Sequence, residues 1–174
     1  MGPGNQGRVS LLFVRALAGI QTGVLGGLAM MSWLAASSAL DRQSIWTIPN
    51  LLGSVLSGRD VLRRGFGAVT VAGLALHLCV AGVIGSAFGL LVGESRNRLR
   101  VALLGILAGL SWYYVSELLF WKKLGALVLI YSPQRPMLLG HLIYGFVLAW
   151  HPRGLRGVLS GFQGGPPTHP PAIG

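Results

Sequence analysis

The sequence predicts an all-α, polytopic membrane protein: a four-helix bundle, readable as two duplicated helical hairpins, with short interfacial or re-entrant segments between the spans. Three observations carry this. Hydrophobic residues make up 52% of the 174-residue chain and charged residues 10%, whereas a water-facing domain carries roughly a quarter charged residues. Four apolar runs alternate with two shorter apolar segments, and charge is confined to clusters between them. The halves also echo each other. Arg15-Ala-Leu-Ala-Gly19-Ile-Gln-Thr-Gly23 is followed by Ser32-Trp33, and Arg100-Val-Ala-Leu-Leu-Gly105-Ile-Leu-Ala-Gly109 by Ser111-Trp112. Each hairpin would leave and return on one side, so a duplication would give parallel repeats about an axis normal to the membrane.

The first span is expected at about 11–40. A signal-peptide reading fails on length, because the apolar run over 16–39 exceeds the ~7–15 residues of a signal core; an uncleaved span is expected. The second span is placed at 66–92 and the third at 101–121. The fourth, 136–150, has barely fifteen apolar residues, short of the ~20 a crossing helix needs, and opens on Pro136, a natural first-turn residue. Segments 45–56 and 124–131 are apolar but too short to cross, and read as interfacial or re-entrant. Trp46, Trp121 and Tyr131 would form an aromatic belt beside them. One transmembrane domain therefore covers 1–153. The Gly/Pro-rich tail, 154–174, is expected to be disordered unless a partner holds it.

The net charge of +10 sits where the apolar runs end: Arg8 and Arg15; Arg59, Arg63 and Arg64; Arg96, Arg98 and Arg100; Lys122 and Lys123; Arg153 and Arg156. Those positions suit snorkelling and contact with anionic lipid headgroups, and nucleic acid is not the expected partner. The loop at 96–100 packs three arginines into five residues, whereas Asp41 and Asp60 dilute the charge of the first loop. Both termini are accordingly placed in the cytoplasm. A single cysteine, Cys79, excludes an intrachain disulfide.

Glycines recur every four residues: Gly19, Gly23 and Gly27 on span one, Gly85 and Gly89 on span two, Gly105 and Gly109 on span three. Such spacing lets helix backbones approach closely, within the bundle or against another subunit. Two histidines lie in apolar sequence, His77 in Gly73-Leu-Ala-Leu-His77 and His141 in Met137-Leu-Leu-Gly-His141-Leu-Ile-Tyr-Gly145. With Glu117 they fall in the outer half of the membrane. Ionisable groups in hydrocarbon are costly and point to function or to internal pairing. His77 and His141 are candidate ligands for haem b or chlorophyll. The leading reading is a structural polar network that includes Glu117 and Tyr144 and needs no cofactor; proton transfer is a third. No metal-ligand cluster, Cys-x-x-Cys-His motif, phosphate-binding glycine loop, nucleophile elbow or zinc-protease helix is present, so catalysis is not expected.

Ser44-Ile-Trp-Thr-Ile-Pro-Asn-Leu-Leu-Gly-Ser-Val-Leu56, and more so Arg135-Pro-Met-Leu-Leu-Gly-His-Leu-Ile-Tyr-Gly-Phe-Val-Leu148 with its Gly-His-Leu-x-Tyr-Gly core, resemble small, uncharacterised bacterial four-helix integral membrane proteins. The resemblance implies the topology and a bacterial inner membrane, and supplies no activity. The expected function is that of a non-catalytic accessory subunit packing against a larger membrane complex, such as a bioenergetic one. The alternatives are a redox or pigment protein using His77 and His141, and a small transporter built from parallel repeats.

Overall fold

The computed structural model of the protein describes residues 3–57, 65–95 and 97–163. Arg59, Asp60, Arg63, Arg64, Arg96 and the tail from 164 onward lie outside the described residues. Helices account for the regular structure: α1 (Pro3–Leu40), α2 (Thr47–Ser57), α3 (Ala68–Val92), α4 (Arg98–Val115), then a π-helical turn (Ser116–Phe120) that leads into α5 (Trp121–Leu124), followed by α6 (Ala126–Tyr131), α7 (Gln134–Leu148) and α8 (His151–Gln163).

Three stretches are long and apolar enough to cross a membrane: Leu11–Leu40, Ala68–Val92 and Arg98–Lys123. α7 has 15 residues, about 22 Å at 1.5 Å per residue, against a hydrocarbon core of about 30 Å. Its shortness goes with its position. It packs against α1 on one side and α4 on the other. Met137, Gly140, His141, Tyr144, Gly145 and Leu148 are buried, the i, i+3, i+4 pattern of a helix held by neighbours.

α1 is the central element and packs against α3, α7 and α8. The pairing with α3 is antiparallel: Gly19 lies against Gly85, Gly23 against Ala81, and Gly27 against His77 and Ala81. The pairing with α7 is also antiparallel, with Gly26 on Tyr144, Met30 on Gly140 and the Trp33 indole N–H donating to the Pro136 carbonyl at 3.0 Å. α4 then pairs with α7 through Gly105 and Gly145. Small residues sit at every one of these crossings: a Cβ on Gly19, Gly23, Gly85, Gly105 or Gly145 would meet the facing backbone, and one on Gly26 or Gly140 the side chain of Tyr144 or Met30.

Local sequence explains where the helices begin and end. Asn97 caps α4 by accepting from the Arg100 backbone N–H at 3.0 Å, satisfying a donor that the first turn leaves open. Gly93 ends α3 at φ +57°, a conformation that side chains with a Cβ rarely adopt. At the opposite end, Thr70 sits in the first turn of α3; its hydroxyl donates to Asn50 Oδ1 of α2 at 2.6 Å and accepts from the Gly67 N–H at 3.0 Å.

The structure narrows one sequence expectation and departs from two others. The segment at 45–56 forms α2, eleven residues that stop short of crossing, and seven of them are buried against the bundle. It is held on α3, where Gly73 lies against Pro49 and Gly53 against Val69; of the two expected placements, interfacial or re-entrant, a short helix buried against the bundle fits the second. Trp121 is also core and not belt: it is buried within the main apolar cluster, whereas Tyr131 is exposed and Trp46 stacks edge-on with Phe66 at 5.0 Å. Finally, the Gly/Pro content of 154–174 misleads for its first ten residues. They continue α8, whose Leu155, Val158 and Leu159 pack on Val14 and Ala18 of α1. Their i, i+3, i+4 spacing outweighs three glycines, Gly154, Gly157 and Gly161, once an apolar partner face is present.

Candidate functional site

His77 and His141 line one cavity of about 50 Å³. It lies where α1, α3 and α7 meet, beneath α2, and the π-turn that follows α4 closes it. Met30 and Leu34 come from α1, Ile48 and Leu52 from α2, Met137 and His141 from α7. Ala81 and other apolar residues of α3, with Trp112, Ser116 and Trp121, also line it. The lining is mostly apolar, and among the described residues no carboxylate belongs to it.

Each imidazole is oriented by a backbone carbonyl. His77 Nε2 lies 3.0 Å from the Gly27 carbonyl oxygen, across the α1–α3 crossing. His141 Nδ1 lies 2.8 Å from the Met137 carbonyl oxygen, one turn back on its own helix. A carbonyl only accepts, so the proton resides on Nε2 of His77 and on Nδ1 of His141, leaving the opposite ring nitrogen of each with a lone pair. The Tyr113 ring packs edge-on against His141 at 5.3 Å. Tyr144 does not share the cavity. Its hydroxyl donates to the Ala81 carbonyl at 2.7 Å and ties α7 to α3.

Glu117 belongs to the π-turn but not to the cavity wall. It is half-buried, and among the described residues it forms no ion pair with Lys122 or Arg135; Arg15–Glu94 at 3.2 Å is the pair found there. The neighbouring Ser116 does line the cavity, with its hydroxyl donating to the Tyr113 carbonyl at 2.8 Å. Glu117 is therefore off the cavity wall and apart from Tyr144, while Tyr113, which packs on His141, lies within electrostatic reach of its carboxylate.

The seven glycines singled out in the sequence all sit at helix crossings, and the crossings share a register. Gly19 meets Gly85 and Gly23 meets Ala81 in the first pair; Gly105 meets Gly145 and Gly109 meets His141 in the second. In that register Ala81 corresponds to His141. His77 lies one turn further along, at the place matched by Met137. The two histidines thus share a cavity without being equivalent positions, and the similar sequence around them does not mark the correspondence.

Sequence reasoning missed three features. Gly145 and Ala81 supply the small faces opposite Gly105 and Gly23, and Gly145 was visible four residues after His141. The buried Asn50–Thr70 pair gave no periodic signal. His151, fully buried at 0% exposure, lies past the end of the fourth apolar run, where nothing predicted a packed helix. It contacts Phe88 edge-on at 6.2 Å. Burial holds its imidazole below the usual histidine range, and the nearby Arg15 charge acts in the same direction against the carbonyls of Ala18 and Gly93.

No protein family, curated protein or solved structure matches this chain.

Proposed function

We propose that this chain is a small, non-catalytic membrane subunit that docks a transmembrane helix of a larger complex. The observation that carries the reading is a groove of about 640 Å³ between α1 and α3, on the outer side of their crossing. Its walls are Ile20, Val24, Val83 and Leu90, and Cys79, Gly82 and Ala87 keep it shallow-sided. In lipid, helix association relies on close packing rather than on a hydrophobic driving force, so a concave small-residue surface favours a helix over fluid acyl chains. Gly82 leaves that surface open: a Cβ there would meet only Val24 and Ile20 methyls, at 3.5 and 3.7 Å.

The proposed arrangement is a four-helix bundle of two hairpins in which α7 is a short fourth span sheltered by α1 and α4. Both termini face the cytoplasm of a bacterial inner membrane. Arg98, Arg153 and Arg156 surround one surface hollow of about 190 Å³ beside Trp150, which suits an anionic lipid headgroup on that side. The haem or chlorophyll alternative is not favoured, because about 50 Å³ between the imidazoles is far below the roughly 300–1,000 Å³ of pockets that enclose organic ligands.

Cys79 is the chain's one cysteine and is exposed in the groove, so it is a native attachment point. A photoreactive maleimide placed there in native membranes should cross-link to a discrete larger membrane protein. Gly82→Leu, which fills the groove, should abolish that adduct while the protein still folds. Adducts to lipid alone, or an adduct indifferent to Gly82→Leu, would refute the docking assignment.

A further inference from the structure

The cavity between the histidines brings together two thioethers and two imidazoles, and we propose that it is a binding site for a monovalent soft metal ion, Cu(I). Met30 on α1, His77 on α3, and Met137 and His141 on α7 all line the same space of about 50 Å³. That volume suits an ion rather than an organic molecule. Met30, Met137 and His141 are each buried to 5% exposure or less.

Three further observations favour a ligand set over incidental packing. Both imidazoles have one nitrogen anchored to a carbonyl, His77 Nε2 on Gly27 and His141 Nδ1 on Met137. This is the outer-shell arrangement that fixes the tautomer and ring plane of metal-binding histidines and leaves the second nitrogen as the donor. The four ligands come from three helices locked by small-residue crossings, so they are positioned before the ion arrives. The donor types also select the metal. Thioether with imidazole favours Cu(I), whereas carboxylate and carbonyl sets favour hard divalent ions.

Charge decides the oxidation state. Among the described residues no carboxylate lines the cavity, so a divalent ion would leave two uncompensated charges at membrane depth, a costly placement. A monovalent ion leaves one. The assignment is independent of the docking groove, which lies on the other side of α3.

The test uses the full chain with Cys79→Ser, which removes the exposed thiol as a competing ligand. Detergent-purified protein is titrated anaerobically with Cu(I) against a chromogenic Cu(I) chelator. One equivalent should be retained, and X-ray absorption should report sulfur and nitrogen together in the first coordination shell. Met137→Leu and Met30→Leu conserve volume and should each weaken retention at least about tenfold, the order lost when a ligand shell is disturbed. Zn(II) should not compete. Retention below one equivalent, a shell without sulfur, affinity unchanged in the Met30→Leu/Met137→Leu double variant, or displacement by Zn(II) would each overturn the site. His141→Gln should weaken binding as well; because the Met→Leu variants keep the core filled, the result does not hinge on how that variant folds.

Discussion

The Tyr144 hydroxyl donates across 2.7 Å to the carbonyl of Ala81, so α7 is fastened to α3 although α1 lies against both. Ala81 is already at the α1–α3 crossing, where it faces Gly23. One residue therefore couples all three helices. A phenol at membrane depth needs such a partner, since hydrocarbon offers none.

Tyr144→Phe keeps the ring and removes only the donor. Interhelical hydrogen bonds in membranes contribute about 0.6 kcal/mol on average, and up to about 1.7 kcal/mol. The variant should lose stability within that range in a reversible unfolding assay in mixed micelles. Tyr144→Ala, which also empties buried volume, should cost about 3–5 kcal/mol. Equal losses for the two would mean that the hydroxyl dominates and that the packing account is wrong.

Glycine substitutions should separate crossings from open faces. At Gly85 a Cβ would sit 2.6 Å from the Gly23 Cα, with backbone on the other side, so Gly85→Ala must spread α1 from α3. Overpacking of this kind costs about 1–3 kcal/mol. Gly82, three residues away, has room, and Gly82→Ala should be neutral or stabilise by up to about 1 kcal/mol through helix propensity. A parallel measurement of thermal aggregation for the two variants checks the contrast; similar midpoints would count against the crossing geometry.

Thr70→Val is close to isosteric and removes both the donor to Asn50 Oδ1 and the acceptor for the Gly67 N–H. Thr70 is fully buried, so the loss should cost about 1–3 kcal/mol. The effect should be local, with faster amide exchange through Thr47–Ser57 and the first turn of α3, and unchanged exchange in α7. Uniform acceleration across the protein would show that α2 is not the element this pair secures.

Some of this organisation was legible in the sequence and some was not, for physical reasons that particular residues show. Apolar length announces a span, so α1, α3 and α4 appear as long runs. Gly105 and Gly109 announce a close approach through their spacing, but the facing surface, Gly145 and His141, depends on helix register that no local pattern encodes. His77 and His141 each precede a leucine in apolar sequence, which suggests equivalent positions. The crossing geometry instead pairs His141 with Ala81, since register is set by backbone approach and not by the polar residue. Trp121 reads as an interfacial residue by its position before Lys122 and Lys123, yet the π-turn at Ser116–Phe120 precedes it, and the ring is buried in the core. α8 was hidden by composition: Gly154 and Gly157 suggested disorder, while Leu155, Val158 and Leu159 carried the opposing amphipathic signal.

His151 gives α8 a predicted pH response whose sign follows from its burial. The side chain is fully buried, and its imidazole is held below the usual histidine range by that burial first and by the Arg15 charge in addition. Arg15 is itself paired with Glu94 at 3.2 Å, so protonating His151 would add a second cation beside that pair. The folded state therefore keeps His151 neutral, whereas a released α8 exposes an imidazole with a value of about 6.5. Above that pH neither state takes up the proton, and the packed arrangement has its full stability. As pH falls below it, the released state gains a proton that the packed state refuses, and stability declines by at most about 1.4 kcal/mol per pH unit until the depressed folded value is reached. Amide exchange in 151–163 should accordingly accelerate between pH 7 and pH 5, after correction for the intrinsic rate, while α7 remains protected. His151→Phe preserves an aromatic ring against Phe88 and cannot titrate, so its α8 protection should be flat across the same interval. An identical acid loss in that variant would assign the response to another group and remove His151 as its origin.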